Sequence, residues 1–262
     1  LTIANGSSSA SFTYTDTKAG TPTITAASTS PTPITSATQQ QTINPGAASK
    51  LAFTTSALTV TAGVASGTIT VQRQDQHGNA NTADASRTVT LASDSTGTVT
   101  FTPSSLTIAN GSSSASFTYT DTKAGTPTIT AASTAPSTIT SATQQQTVNS
   151  AAASKLVFTT EPSGATAGST FATQPVVRTQ DQFGNNSAVG LASSVTVTWA
   201  ISSGTGTLQG TTTGDIGTGA GNGTLTASGL RIDQAGSLTL KASVTSGLTQ
   251  GTSGSFTVSP AA

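Results

Sequence analysis

Residues 1–29 (LTIANGSSSASFTYTDTKAGTPTITAAST) recur without a change at 106–134, a spacing of 105. With scattered substitutions the match runs on through Leu51-Ala52-Phe53-Thr54-Thr55, which returns as Leu156-Val157-Phe158-Thr159-Thr160. Solenoid repeats are about 20–50 residues long, whereas a whole antiparallel sandwich takes about 100. Each period should therefore be a domain with its own core. A third unit diverges but keeps the landmarks. Thr61-Ala62-Gly63 returns as Thr166-Ala167-Gly168, and Gln74-Asp75-Gln76-His77-Gly78-Asn79 as Gln180-Asp181-Gln182-Phe183-Gly184-Asn185. Asn110-Gly111 is matched by Asn222-Gly223, Ala124-Gly125 by Ala235-Gly236, and Thr147-Val148 by Thr257-Val258. Three units follow: 1–46, carrying only the last strands of a repeat; 47–150, a complete repeat; and 151–262, a divergent one, closing at Pro260-Ala261-Ala262 where a further repeat would begin.

Between landmarks the apolar residues alternate, which marks half-buried strands. In the central unit the pattern predicts strands at 51–54, 68–74, 88–92, 98–102, 105–109, 114–120, 126–132 and 140–148. Their inward sets are Leu51/Phe53, Ile69/Val71, Val89/Leu91, Val99/Phe101, Leu106/Ile108, Phe117/Tyr119 and Ile129/Ala131. The alternate positions are mostly Thr and Ser, which suit a solvated pleated face. Asn110-Gly111 lies between two such runs and predicts a type I′ hairpin. Asp75 to Asn79 predicts a turn in which Gly78 takes positive φ and the aspartate caps backbone N–H groups. Eight short strands in about 105 residues imply a Greek-key sandwich. About six residues separate Val148 from Leu156, too few for free swivelling, so the expected array is a semi-rigid rod.

Composition narrows the function classes. Charged residues are 7% of the chain, and Lys+Arg and Asp+Glu both total 9. No basic patch is available for a nucleic acid backbone or an anionic membrane, and no apolar run reaches the roughly 18 residues of a membrane span. With no cysteine, disulfides and thiolate chemistry are excluded. A surface of Thr, Ser, Asn and Gln with few Lys, Arg or Glu suits an extracellular setting.

The alternating Ile69-Thr70-Val71 leading into Asp75 and Gly78-Asn79, then Val89-Thr90-Leu91, Asn110-Gly111, and Ala124-Gly125 before Thr128-Ile129-Thr130-Ala131 together resemble bacterial immunoglobulin-like repeats of the invasin and intimin type. The resemblance covers the second and third units fully and the first in part. It implies tandem immunoglobulin-like Greek-key β-sandwiches in an adhesin stalk, surface-layer component or filament at the cell surface. No receptor-binding tip domain is visible in it.

Catalytic chemistry finds no anchor. His77 is the one histidine, and Phe183 replaces it in the third unit, so it reads as a loop residue rather than a triad member. Glu161 is the sole glutamate, and no repeat shows the paired carboxylates of a glycosidase. The expectation is no enzyme and no cofactor. Asp75 and Asp181 are calcium candidates at the seams, although a site needs six to eight oxygens, and an Asx turn accounts better for one carboxylate per turn. Gly214–Gly223 is glycine-rich like a phosphate loop, but Thr224-Leu225-Thr226 continues it as a strand rather than a helix, so it reads as a flexible hairpin approach. Trp199 has inward phase on a strand. Asn5, Asn110, Asn185 and Asn222 are glycosylation sequons, so glycans join the expected partners, which otherwise are neighbouring repeats of the same or identical chains.

The first unit lacks counterparts of 51–102, and its four closing strands should expose a core face and unpaired edges. Two sources could fill them: residues upstream in sequence, or another subunit donating strands in a head-to-tail polymer. The leading functional expectation is a structural stalk or filament segment. Its rivals are an adhesin module recognising a host or surface ligand, and an accessory region of a secreted polysaccharide-degrading enzyme. Aromatics at 4%, mostly of inward phase, count against a carbohydrate platform.

Overall fold

A computed structural model describes residues 1–245 and 247–261, and among these every regular element is a strand. Ala262, the last residue of the closing Pro260-Ala261-Ala262, lies outside the described residues.

Residues 1–46 hold one antiparallel pair, β1 (Thr23–Ser28) and β2 (Ile34–Gln40), with Thr23 opposite Gln40. The second repeat follows with β3 (Lys50–Phe53), β4 (Thr59–Thr61), β5 (Ile69–Gln74), β6 (Arg87–Ser93) and β7 (Val99–Thr102). It is completed by β8 (Leu106–Ile108), β9 (Ser114–Asp121), β10 (Thr128–Ala135), β11 (Ile139–Gln145) and β12 (Thr147–Asn149). Its main strands run in the order β7-β9-β5-β3, then β11-β10-β6-β8, and the two halves join by a parallel contact between Lys50 and Thr140. From β5 to β10 every connection crosses from one half to the other. Ile69, Val71, Phe117 and Tyr119 of one half share a core with Val89, Leu106, Ile108, Ile129 and Ala131 of the other. This is an immunoglobulin-like sandwich, and the alternation along β5 (buried at Ile69, Val71 and Arg73) is the period-two pattern of the sequence made physical.

Three details depart from the sequence expectation. Asn110-Gly111 does not close a hairpin: β8 pairs β6, β9 pairs β5 and β7, and the turn carries the chain across the sandwich. Only Gly111 has positive φ, at 82°, and Ser112 N donates to Ala109 O at 3.1 Å. A type I′ turn needs positive φ at both central residues, whereas type II needs it at the third position alone. The expected strand 140–148 breaks at Gln146, whose buried side chain accepts from Leu58 N at 2.8 Å. Beyond the break β12 pairs parallel with β4, a strand that the alternation does not announce.

The third repeat runs β13 (Lys155–Thr160), β14 (Ala165–Thr166), β15 (Val176–Gln180), β16 (Thr196–Ser203), β17 (Leu208–Thr211) and β18 (Thr213–Asp215). It closes with β19 (Thr224–Thr226), β20 (Ser228–Ile232), β21 (Gly236–Val244), β22 (Gly251–Thr252) and β23 (Phe256–Ser259). Trp199 is core, as its phase indicates, with Phe158 edge-on at 5.7 Å between centroids. Asn222 and Gly223 both have positive φ, 44° and 81°, and Thr224 N donates to Gly221 O at 2.9 Å, so the type I′ geometry occurs here instead. Its register also differs from the landmark pairing. Thr179 N donates to Gly223 O at the place where Arg73 N donates to Ser113 O, so Gly223 stands where Ser113 does, two residues on from Gly111. The Gly214–Gly223 loop is tied down rather than flexible: Thr218 N bonds Ala192 O, Gly219 N bonds Ser193 O, and a Cβ on Gly217 would sit 2.4 Å from Ser193 O.

Identical sequence takes two states in this molecule. Leu106, Ile108, Phe117 and Tyr119 are buried, while their twins Leu1, Ile3, Phe12 and Tyr14 are exposed, Ile3 at 57% against 0% for Ile108. Residues 1–3 and 9–16 form no strand, because β8 and β9 exist by pairing with β5, β6 and β7, and residues 1–46 contain no counterpart of those. Of the four strands expected in the first unit, the two that pair with each other are present.

Candidate functional site: the seams between repeats

Asp75 and Asp181 build the same turn twice. Asp75 Oδ1 accepts from His77 N and Asn79 N, both at 2.9 Å, and Gly78 closes the turn with φ of 90°. Asp181 Oδ1 accepts from Phe183 N at 3.0 Å and Asn185 N at 2.9 Å, and Gly184 has φ of 89°. The second oxygen of each reaches the linker: Asp75 Oδ2 takes Gly46 N, and Asp181 Oδ2 takes Ala151 N, each at 2.9 Å. The Asn79 and Asn185 amides donate to the same oxygen at 2.8 and 2.9 Å. Four N–H donors thus surround each carboxylate and take up its lone-pair directions, which is capping chemistry and leaves no oxygen turned out to a cation. Among the described residues no group of three or more His, Asp or Glu is gathered that could hold a metal ion.

The asparagine of each turn reaches back into the preceding repeat. Asn79 Oδ1 accepts from Ala19 N at 2.9 Å, and Asn79 Nδ2 donates to Thr17 O at 2.8 Å. Asn185 repeats this with Ala124 N at 3.0 Å and Thr122 O at 2.8 Å. Each amide meets a carbonyl, a carboxylate and an N–H donor, so its orientation is fixed by its partners. The receiving loop is itself pinned. Tyr119 Oη donates to Asp121 Oδ2 at 2.5 Å, and Lys123 N donates to Asp121 Oδ1 at 2.8 Å. Tyr14, Asp16 and Lys18 do the same in the first unit. At the second seam Phe183 adds an apolar contact, lying so close over Gly63 that a Cβ there would fall 2.2 Å from its ring.

Electrostatics follow the hydrogen bonds. The Asn79 amide, with the backbone donors of Gly46, Asn79 and His77, holds the Asp75 carboxyl well below the usual range against the opposing effect of burial. At Asp181 burial pushes upward, yet donors from Asn185, Ala151 and Phe183 hold the net shift downward. Burial and then the bond to Asp121 push the Tyr119 phenol up.

The other sequence-predicted positions fall apart from one another. His77 is exposed, with a ring nitrogen 3.1 Å from Gln76 Nε2. Glu161 Oε2 accepts Gly254 N at 2.9 Å. Asp215 Oδ1 accepts Val195 N and Gly217 N, tying the glycine-rich loop to the residue that leads into β16. Of the sequons, Asn5, Asn110 and Asn222 are exposed. Asn185 is buried and spends its amide in the seam, so in the folded chain that site is closed to a glycan. What sequence reasoning missed is the partner of Asn79 and Asn185. The signal was present as two recurring landmarks, the Asp-Gln-x-Gly-Asn turn of the second and third units and the Ala-Gly dipeptide of all three, which read separately as turns and prove to be the two halves of one contact.

No protein-family model and no curated protein matches the chain. Solved structures similar to it include the D0–D1 domains of intimin, with 18% identity, a TM-score of 0.29, and 80% of this chain matched to 97% of that one. The surface-layer protein SbsC, domains 4–9, shows 21% identity and a TM-score of 0.30, over 92% of this chain and 35% of that one. The Yersinia pseudotuberculosis adhesin InvE shows 18% identity and a TM-score of 0.32, over 79% of this chain and 58% of that one. The fold assignment rests on the strands and cores described above, and the duplicated clamp is what distinguishes this array as a connected structure.

Proposed function

We propose that the chain is a structural segment of a prokaryotic surface protein, a stalk or filament in which sandwich repeats are held at fixed angles outside the cell. One observation carries this reading: the same two-sided clamp, aspartate to linker and asparagine to preceding repeat, is built at both seams. A neutral surface of Thr and Ser, with no group of three or more His, Asp or Glu gathered among the described residues, supports a mechanical role over a chemical one. Each seam gains two cross-repeat hydrogen bonds worth about 0.5–1.5 kcal/mol apiece, enough to favour one orientation without locking it covalently. Small-angle scattering of the purified chain tests the reading. A rod-like profile that stays the same as salt is raised supports it, and a profile of independently tumbling domains overturns it.

The exposed face of residues 1–46 favours a second, compatible reading, head-to-tail assembly by strand complementation. Leu1, Ile3, Phe12, Tyr14 and Ile34 stand in water, whereas their twins in the second repeat are core. Burying five such side chains is worth on the order of 10 kcal/mol, so counterparts of β3, β5, β6 and β7 would bind there strongly, whether from the same chain or from another copy. Light scattering at micromolar concentration separates the two sources. Growing oligomers support donation between copies, and a stable monomer contradicts it.

A further inference from the structure

The end of the third repeat that lies away from the second seam carries the receiving half of the same clamp. Gly168 N bonds Ile232 O at 2.8 Å, just as Gly63 N bonds Asp121 O at 2.8 Å. Thr207 N bonds Asp233 Oδ1 at 2.7 Å, as Thr98 N bonds Thr122 Oγ1 at 2.8 Å. Gly236 pairs with Val258 as Gly125 pairs with Val148. These contacts fix the equivalences: Gly168 stands for Gly63, Asp233 for Thr122, and Ala235 for Ala124. At the second seam those three positions receive the Phe183 ring, the Asn185 Nδ2 donor and the Asn185 Oδ1 acceptor respectively. On the third repeat, Gly168 is exposed with φ of 81° and open space where a Cβ would point. Asp233 and Ala235 are exposed as well, and no bond from the Ala235 N–H is found among the described residues.

We infer that Gly168, the Asp233 carbonyl and the Ala235 N–H form a preformed socket for the Asp-Gln-Phe-Gly-Asn or Asp-Gln-His-Gly-Asn turn of another repeat of this kind. The turn's asparagine donates to Asp233 O and accepts from Ala235 N, and its aromatic or imidazole ring lies over Gly168. The glycine is part of the recognition, because any side chain there would occupy the ring's seat and would be strained at that φ. Asn79 and Asn185 are already spent within this chain, so the occupant is a turn whose asparagine is free. The linker agrees with this: Pro260-Ala261 matches Pro45-Gly46 in register, and Gly46 N is one of the four donors to Asp75. This inference rests on the proposed rod, and extends it from the seams seen to a seam the chain can accept.

An extended chain tests it, made by joining a second copy of residues 153–262 after Ala262, which continues the linker in register. The chain has no native cysteine, so spin labels can be placed at will across the existing second seam and across the new one. A narrow distance distribution at both seams is the expected result. Replacing the appended copy of Asn185 by alanine, or making Ala235→Pro to delete the receiving N–H, should broaden only the new seam to the spread of a free linker. A broad new seam beside a narrow existing one overturns the socket and leaves the rod standing. Breadth at both seams overturns the rod, and the socket with it. A narrow new seam that ignores both substitutions shows that other contacts set the angle and also overturns the socket.

Discussion

The seam depends on a few polar atoms, and single substitutions should report on them unequally. Asn185→Ala leaves Thr122 O, Ala124 N and Asp181 Oδ2 each short of a partner, so we expect a loss of about 1–3 kcal/mol, read as a lower urea midpoint. Tyr119→Phe strips a donor from the buried Asp121 carboxylate and should cost about 1–3 kcal/mol in the same measurement. Arg73 is a less obvious buried residue. It continues the inward phase of Ile69 and Val71, and donates to the carbonyls of Asn81, Asp84 and Ala85. The third repeat places Thr179 there, bonded to Ser187 O at 2.6 Å, so both repeats keep a buried donor at the position and only one of them a charge. Asp75 and Asp181 supply a pH dependence. Their folded values are lowered, so their stabilisation is fully present above the unfolded aspartate value near 3.9 and is lost as pH falls below it. Thermal melts between pH 6 and pH 2 should show the drop beginning below about pH 4, and the drop should shrink in Asp75→Asn and Asp181→Asn.

Elements in this chain are decided by partners more than by their own residues. The 29-residue identity between 1–29 and 106–134 is a natural control: the same side chains make β8 and β9 in one place and no strand in the other. Hydrogen exchange should show it directly. The amides of Phe117 and Tyr119 should be strongly protected, and those of Phe12 and Tyr14 should exchange at near-unprotected rates, as expected for residues outside any cooperative unit. Comparable protection of both pairs would mean that the first unit has found its missing strands. The same principle says what was legible in the sequence. Period-two alternation located nearly all the strands of the second repeat and its inward side chains, because burial on one face is a local signature. It could not say that Asn110-Gly111 leads across the sandwich, since strand pairing is a long-range choice that a turn dipeptide does not encode. Nor could it find β4, whose Thr59-Val60-Thr61 owes its strand state to β12.

At the scale of the whole molecule, the Asp-Gln-x-Gly-Asn turn was legible as a turn and not as a joint. Its asparagine lies 60 or more residues from the backbone it grips, and no local pattern carries that information; only the co-occurrence of two landmarks in successive units hints at it. The claim that follows is that repeats are held at set angles by these clamps. The most direct test places spin labels at Thr107→Cys on β8 and Thr198→Cys on β16, both exposed positions on either side of the second seam. A single narrow distance distribution is predicted for the otherwise unaltered chain, broadening in Asn185→Ala while each repeat keeps its cooperative melt. A broad distribution in the unaltered chain, or a narrow one that Asn185→Ala leaves unchanged, would contradict the account.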